Sequence, residues 1–425
     1  MSNAITLNTF KNILNYTIDN NKRIQERGDK PIALGLVGEK GIGKTSILQQ
    51  IAEERGMKFV KVNVAQFDEV GDITGFPIKE YEAQLFTPVK KDDGTTSYVP
   101  GKTVWGTEQV FSTYKGKFRY TGKNRMTYAK PAWVPDEADS NNGILLVLDD
   151  YSRATPVFLN AMMDLIKDQE YMSWKLPKNT QICLTTNPDN GSYNVSTQDA
   201  AQQGRYLDFN VEFDLNDWGQ WAEKKGLDSR CLSFALSYGD ELFSINAEGN
   251  SIADPRSFVM FANMVGGIKD WDSTDSQALL ENIAKGCFKD KDNKFGKMFR
   301  SFINNKMHLL ISPKQMLTGS WETVCPKLEE ALYDSNNEYR PDIASLLARR
   351  FAYYVNAWLD SPEETPIAKV KERLLDFIRY DSKNANHHFL FNEDMFYHMI
   401  TIITSEHKAQ TNKLLYEPDI VAKIN

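Results

Sequence analysis

The chain is predicted to fold as a three-layer α/β domain with a parallel sheet, continued by a largely helical second half. Three observations predict this. A glycine-rich loop at 38–45 lies between a short apolar run and a segment of helical period. Four further apolar runs of strand length follow before residue 214, with helix-period segments among them, the alternation that builds a parallel sheet. From Asn216 onward the apolar spacing is helical almost throughout.

Each element follows from its own pattern. Residues 6–27 form a leading amphipathic helix, stopped by Gly28-Asp29-Lys30-Pro31. Buried-strand runs occupy 32–37, 58–64, 143–148, 181–186 and 207–213, and helices are expected at 44–55 and 155–168. Between 79 and 130 the alternation breaks: lysines and arginines are interleaved with tyrosines, threonines and glycines, and pieces such as Lys117-Phe118-Arg119-Tyr120 alternate with strand period. This stretch is expected to be an inserted β-hairpin region. Its basic and aromatic character suits either a nucleic-acid surface or hairpins packing their own aromatics, and the second is the favoured expectation. Helices are expected further on at 216–225, 229–238, 254–265, 276–286, 322–333, 341–358, 363–380 and 394–406. The domain plan is therefore an N-terminal helix (1–30), an α/β core (31–215), a helical group (216–270) and a helical C-terminal domain (271–425).

Composition bounds the class. The chain has 425 residues, 41% hydrophobic and 25% charged, as a globular protein of two or three domains would. No apolar run is long enough to span a membrane, and no basic-then-apolar leader opens the chain, so a cytoplasmic protein is expected. Cys183, Cys231, Cys287 and Cys325 are far apart with no C-x-x-C, which argues against zinc and against a disulfide framework. The net charge of −7 gives no global sign of nucleic-acid binding. His308, His387, His388, His398 and His407 lie outside the α/β core; His387-His388 is the only cluster and has no acidic or cysteine partner at ligand spacing, and structural or surface roles are expected for all five.

The loop itself reads Gly38-Glu39-Lys40-Gly41-Ile42-Gly43-Lys44-Thr45, the complete pattern G-x-x-x-x-G-K-[ST], followed by Ser46 at the start of a helix. Glycines let backbone N–H groups close around phosphate oxygens, and the helix start adds its positive dipole end. Lys44 is expected on the β- and γ-phosphates, and Thr45 on Mg²⁺. The ligand is a nucleoside triphosphate with magnesium. Gly143-Ile144-Leu145-Leu146-Val147-Leu148-Asp149-Asp150 is an apolar strand ending in two acids. Asp149 fits the metal-holding carboxylate beside such a loop, and Asp150 the group that orients or deprotonates the attacking water.

From here a family resemblance becomes specific. The segment from Asp149 through Pro156, with Leu159-Asn160-Ala161-Met162-Met163, resembles the region around the Walker B motif of MoxR-type AAA+ ATPases. Gly71-Asp72-Ile73-Thr74-Gly75 resembles the D-[IL]-x-G element after that family's second strand. Gln181-Ile182-Cys183-Leu184-Thr185-Thr186-Asn187-Pro188 resembles the sensor 1 strand, Gln203-Gly204-Arg205-Tyr206 stands at the D-R-F position, and Asp254-Pro255-Arg256-Ser257-Phe258 resembles sensor 2. The resemblance covers about residues 30–265. It implies an AAA+ core with a helical lid at 216–270, Asn187 as sensor 1, Arg205 as an arginine finger supplied to a neighbouring subunit, and Arg256 as sensor 2. Two positions depart from the family pattern: Asp150 stands where glutamate is usual, which implies slow turnover, and Gly204 stands where an aspartate precedes the arginine.

The resemblance further implies an ATP hydrolase that works as a ring, in the family usually a hexamer, and remodels or activates a protein client, often with a partner bearing a von Willebrand factor A domain. Three other readings compete. A nucleic-acid motor or helicase loader would use the basic insertion. An ATP-dependent assembly protein with little hydrolysis would suit the short Asp150. A small-molecule kinase shares the loop but lacks any acceptor-binding signature.

Overall fold

The computed structural model describes residues 4–92, 94–137, 141–171, 173–189, 204–244, 251–288, 293–360, 367–381, 387–406 and 408–424. Gln203 and His407 lie outside the described residues, as do the first four positions of the helix expected at 363–380. The chain divides into two compact units, Met1–Glu212 and Phe213–Asn425.

The first unit is a parallel six-stranded sheet with helices on both faces. In chain order its elements are β1 (Ile5–Thr6), α1 (Leu7–Glu26), β2 (Ala33–Val37), α2 (Lys44–Glu54), β3 (Lys58–Asn63), a short α3 (Gly71–Thr74), an insertion, β7 (Ile144–Asp149), α5 (Pro156–Asp168), β10 (Thr180–Thr186) and β11 (Tyr206–Glu212). The strand order is β1-β11-β2-β10-β7-β3. Every residue of β7 and β10 is buried, as expected of central parallel strands covered on both sides. Strand alternation divides the core. Leu146, Leu148, Ile182 and Leu184 pack with Phe158, Leu159, Met162 and Ile166 of α5, whereas α2 packs on β7 and β3 and α1 on β11, where Phe10 meets Phe209 edge-on at 5.8 Å. Asn21, buried on α1, donates to Ile32 O at 2.8 Å and Gln181 Oε1 at 2.7 Å and accepts from Ile32 N at 2.9 Å, fixing α1 to the sheet.

The insertion is a three-stranded antiparallel sheet: β4 (Pro77–Lys90) is central, flanked by β5 (Thr96–Gly106) and β6 (Lys117–Tyr128), with α4 (Glu108–Thr113) between them in sequence. A small hairpin of β8 (Glu170–Tyr171) and β9 (Trp174–Lys175) follows α5. The root of the insertion is held to the core. Gly75 has a φ of +84°, and a Cβ there would stand 1.8 Å from Ala129 O, so glycine is required sterically. Trp133 Nε1 donates to Asp72 O at 2.8 Å, and Trp174 Nε1 to Thr74 O at 2.9 Å.

The second unit is helical. Its longer helices are Leu215–Lys224, Ser229–Phe243, Pro255–Val265, Thr274–Cys287, Lys294–Asn304, Trp321–Leu332, Pro341–Leu359, Ile367–Ile378 and Glu393–Glu406. One core joins Trp218, Phe234, Phe258, Phe261, Trp271, Phe295 and Phe299, with Leu346 and Tyr353 from the helix Pro341–Leu359. A second gathers Leu328, Leu347, Phe351, Leu374, Phe377, Phe396 and Met399. Arg350, fully buried, is neutralised by Glu223 at 3.4 Å and bonded to Ser229 and Ser233 hydroxyls at 2.7 Å each. Cys183 and Cys231 are buried, Cys287 and Cys325 are half-buried, and all four are free thiols. Among the described residues, no helix is long and apolar enough to cross a membrane, and no group of three His, Cys, Asp or Glu could hold a metal ion.

Candidate nucleotide site

The carboxyl ends of β2, β7 and β10 meet at one edge of the sheet, the place where open α/β sheets bind ligands. From β2 the chain enters the loop 38–43 and then α2. Gly41 and Gly43 adopt φ of +77° and +106°, and α2 begins with no side-chain cap. A Cβ on Gly38 would stand 2.7 Å from both Val211 O and Val211 Cγ2. Glycine is needed at these positions, and the turn leaves the helix start for an outside acceptor. Lys44 Nζ donates to the carbonyls of Gly38 and Glu39, the latter at 2.9 Å, and to Asn187 Oδ1 at 3.2 Å. The loop lysine from α2 and the asparagine at the end of β10 are thus in direct contact.

Asp149, at the end of β7, is buried and carries two sets of bonds. Its Oδ1 accepts from Thr45 Oγ1 at 2.8 Å and from Thr185 Oγ1 at 2.6 Å. Its Oδ2 pairs with Lys61 Nζ at 2.8 Å. Burial, the largest single influence, works against its charge, but the bonds from Lys61, Thr185 and Thr45 outweigh it and hold the carboxyl below the ordinary carboxylate range. Asp150 has a φ of +53°, and its N–H donates to Thr185 Oγ1 at 3.2 Å. Its carboxylate is partly exposed, with Arg153 3.8 Å away. A left-handed backbone is tolerated by aspartate better than by most residues, and here it turns consecutive side chains apart. Asn187, also buried, receives a further hold from Ser152, whose Oγ accepts from its N–H at 3.4 Å.

The structure therefore brings Lys44, Thr45, Asp149 and Asn187 into one bonded cluster with Asp150 beside it. Glu39 and Lys40 lie on the loop, Ile42 is buried under it, and Ser46 is exposed on the first turn of α2. Arg205 is placed elsewhere: its guanidinium faces Asp164 of α5 at 3.9 Å, and its Nε is buried without a hydrogen-bond partner among the described residues. Arg256 is exposed on the first turn of the helix Pro255–Val265, in the second unit, where Asp254 caps the helix through Ser257 N at 3.0 Å.

Two contacts escaped sequence reasoning. Lys61 sits on a half-exposed strand, 88 residues before its partner, and reads there as a solvated lysine. Thr185 lies inside an apolar run and carried no signal except its place two residues before Asn187.

The residues present fit Mg²⁺ and a nucleoside triphosphate. The uncapped helix start, the left-handed glycines and the loop-held ammonium form an anion cradle, and a hydroxyl beside a charged, buried carboxylate is the donor pair for a hard cation.

Residues 34–197 match the model of the AAA family, described as ATPase family associated with various cellular activities. Among curated proteins, none matches the chain. Among solved structures, two mutant forms of RuvB from Thermotoga maritima are similar to it. One is 11% identical, covers 79% of this chain and 92% of its own, and has a TM-score of 0.35. The other is also 11% identical, with 78% and 91% covered and a TM-score of 0.34. Likeness at that level carries no argument about function. With its parallel sheet, phosphate loop and strand-end acids, the first unit of this chain contains an AAA ATPase domain.

Proposed function

We propose that the protein hydrolyses Mg-ATP at the boundaries between subunits of a ring, and uses the cycle to remodel or activate a protein client in the manner of MoxR-type ATPases. The single observation that carries the reading is the bonded cluster of Lys44, Thr45, Asp149 and Asn187. Bound Mg-ATP supplies the reactive phosphoryl group and its counter-ion. Lys44 and the loop N–H groups hold the phosphates, Thr45 and Asp149 hold the cation, and Asp150 and Asn187 orient water toward the γ-phosphate.

Arg205 fits a finger for the neighbouring subunit because, among the described residues, its guanidinium has only a distant ionic partner, Asp164 at 3.9 Å, and remains a quarter exposed. Arg256 is proposed as sensor 2 on a lid comprising residues 216–270, with 271–425 as a further helical domain and 1–30 as an N-terminal helix before the core at 31–215. A hexameric ring, a cytoplasmic setting and a partner with a von Willebrand factor A domain belong to the same reading.

The test is ATP turnover with client capture. Full-length protein is assayed for phosphate release, and its Asp150→Asn form, locked with ATP, is used to capture partners. ATP-dependent rings that release phosphate support the reading; nucleotide binding without turnover in any assembly state would replace it with the assembly-protein alternative. A nucleic-acid-associated ATPase is the second reading, favoured by one observation, the basic face of the insertion.

A further inference from the structure

The two faces of the insertion sheet differ sharply. Residues directly opposite each other in an antiparallel pair share a face. One face carries Ala83, Leu85, Phe118 and Tyr120 and is closed by α4, whose Phe111 lies 5.1 Å from Phe118 and 5.4 Å from Tyr120. Much of the aromatic content noticed in the sequence is spent there, on the insertion's own small core. The opposite face carries Lys117, Arg119 and Arg125 from β6 and Tyr98 and Trp105 from β5; the three cations and Tyr98 are exposed and Trp105 is half-buried.

We propose that this open face binds single-stranded nucleic acid. Its cations are arranged on rings rather than solely on carboxylates. Lys117 Nζ lies 3.8 Å from the centre of the Tyr98 ring, and the Arg125 guanidinium lies 4.6 Å from that of Trp105. Glu80 offsets Arg125 at 2.8 Å, and Glu82 offsets Lys123 at 3.5 Å. Lys117 and Arg119 make no ion pair among the described residues, so the surplus positive charge is concentrated where β6 begins, beside Tyr98, which is 42% exposed. The charge is local: residues 77–128 hold nine lysines and arginines against five acids, in a chain whose net charge is −7.

This is the chemistry of a stacking platform beside a phosphate track. Tyr98 and Trp105 lie on one strand at most about 23 Å apart, at roughly 3.3 Å per residue, which leaves room for several nucleotides between them. An acidic peptide would use the same cations but has no bases to lay on the rings, so the exposed Tyr98 ring, with the half-buried Trp105 further along the strand, favours the nucleic acid. The inference is independent of ATP hydrolysis.

The experiment is fluorescence anisotropy of a labelled oligothymidylate with the full chain, at low and raised salt, with oligoglutamate as competitor. Binding should weaken steeply with salt. The double variant Lys117→Glu, Arg119→Glu should lose at least about tenfold in affinity and flatten the salt slope by about 0.7 for each phosphate contact removed. Tyr98→Ala should weaken binding about five- to tenfold and leave the slope unchanged, because it removes stacking and not charge. Wild-type melting temperature and ATP binding in both variants show that the core has folded. No binding at low salt, variants that bind as wild type, or displacement by oligoglutamate with no effect of Tyr98→Ala would each overturn the proposal, the last in favour of an acidic protein segment.

Discussion

Lys61 Nζ stands 2.8 Å from Asp149 Oδ2, on the carboxylate oxygen that neither Thr45 nor Thr185 uses. An ammonium so placed repels a divalent cation arriving at the same carboxylate. Lys61→Met should therefore lower the magnesium concentration needed for half-maximal nucleotide binding, by roughly two- to fivefold for a pair of this exposure, whose energy is at most about 1 kcal/mol. Magnesium titration of a fluorescent ATP analogue checks this, and an unchanged midpoint counts against competition between the two cations.

Lys44→Ala should abolish measurable nucleotide binding, since it removes the ammonium that reaches the carbonyls of Gly38 and Glu39. Asp150→Asn should bind ATP normally and turn over about 10²- to 10⁴-fold more slowly, because only the water-orienting charge is lost. Calorimetry and phosphate release, run on both variants, separate binding from chemistry.

Arg205→Ala should bind ATP and fail to hydrolyse it, while Asp164→Ala, which removes the distant partner at 3.9 Å, should hydrolyse at a rate near wild type. Mixing Arg205→Ala with Asp150→Asn subunits should restore part of the turnover at mixed boundaries. Full activity of the Arg205 variant alone would end the finger assignment.

Gly75→Ala should loosen the root of the insertion. Its φ of +84° and the 1.8 Å approach of Ala129 O leave no room for a methyl group. A cost of about 2–4 kcal/mol is expected from the combined strain and overpacking. Thermal denaturation and limited proteolysis between 77 and 128 report it.

Burial, the leading influence, lowers the His308 pKa below the ordinary imidazole value of 6.5, although Asp272 lies 3.4 Å from its Nε2 and pulls the other way. A histidine depressed in the folded state contributes stability that is complete above its unfolded pKa and is lost as pH falls through the folded value. Denaturant midpoints should therefore fall below pH 6.5, and His308→Gln should flatten that part of the profile.

The parallel core was legible because its strands are continuous buried runs and its phosphate loop is a local pattern. Lys294–Asn304 was missed although Phe295, Phe299 and Phe302 mark its face, because Gly296 lowers helical propensity just after the start. The two-residue β1 has no local signal, since only its pairing with Val211 and Glu212 defines it. In the site, Asp149 and Asn187 were visible as strand-end residues. Lys61 was not, because its meaning depends on β3 lying next to β7. The insertion was legible as hairpins, but which aromatics would be consumed by α4 and which left open depended on register.

Thr185 has a mechanical consequence. Its single hydroxyl donates to the Asp149 carboxylate and accepts from the Asp150 N–H, while its strand runs on for two residues to Asn187. The two acids at the end of β7 and the asparagine just past β10 are thereby linked through one hydroxyl. With the roles proposed above, a slip of β10 against β7 that moves the asparagine would pull on both acids in the same stroke, so metal holding and water orientation would change together.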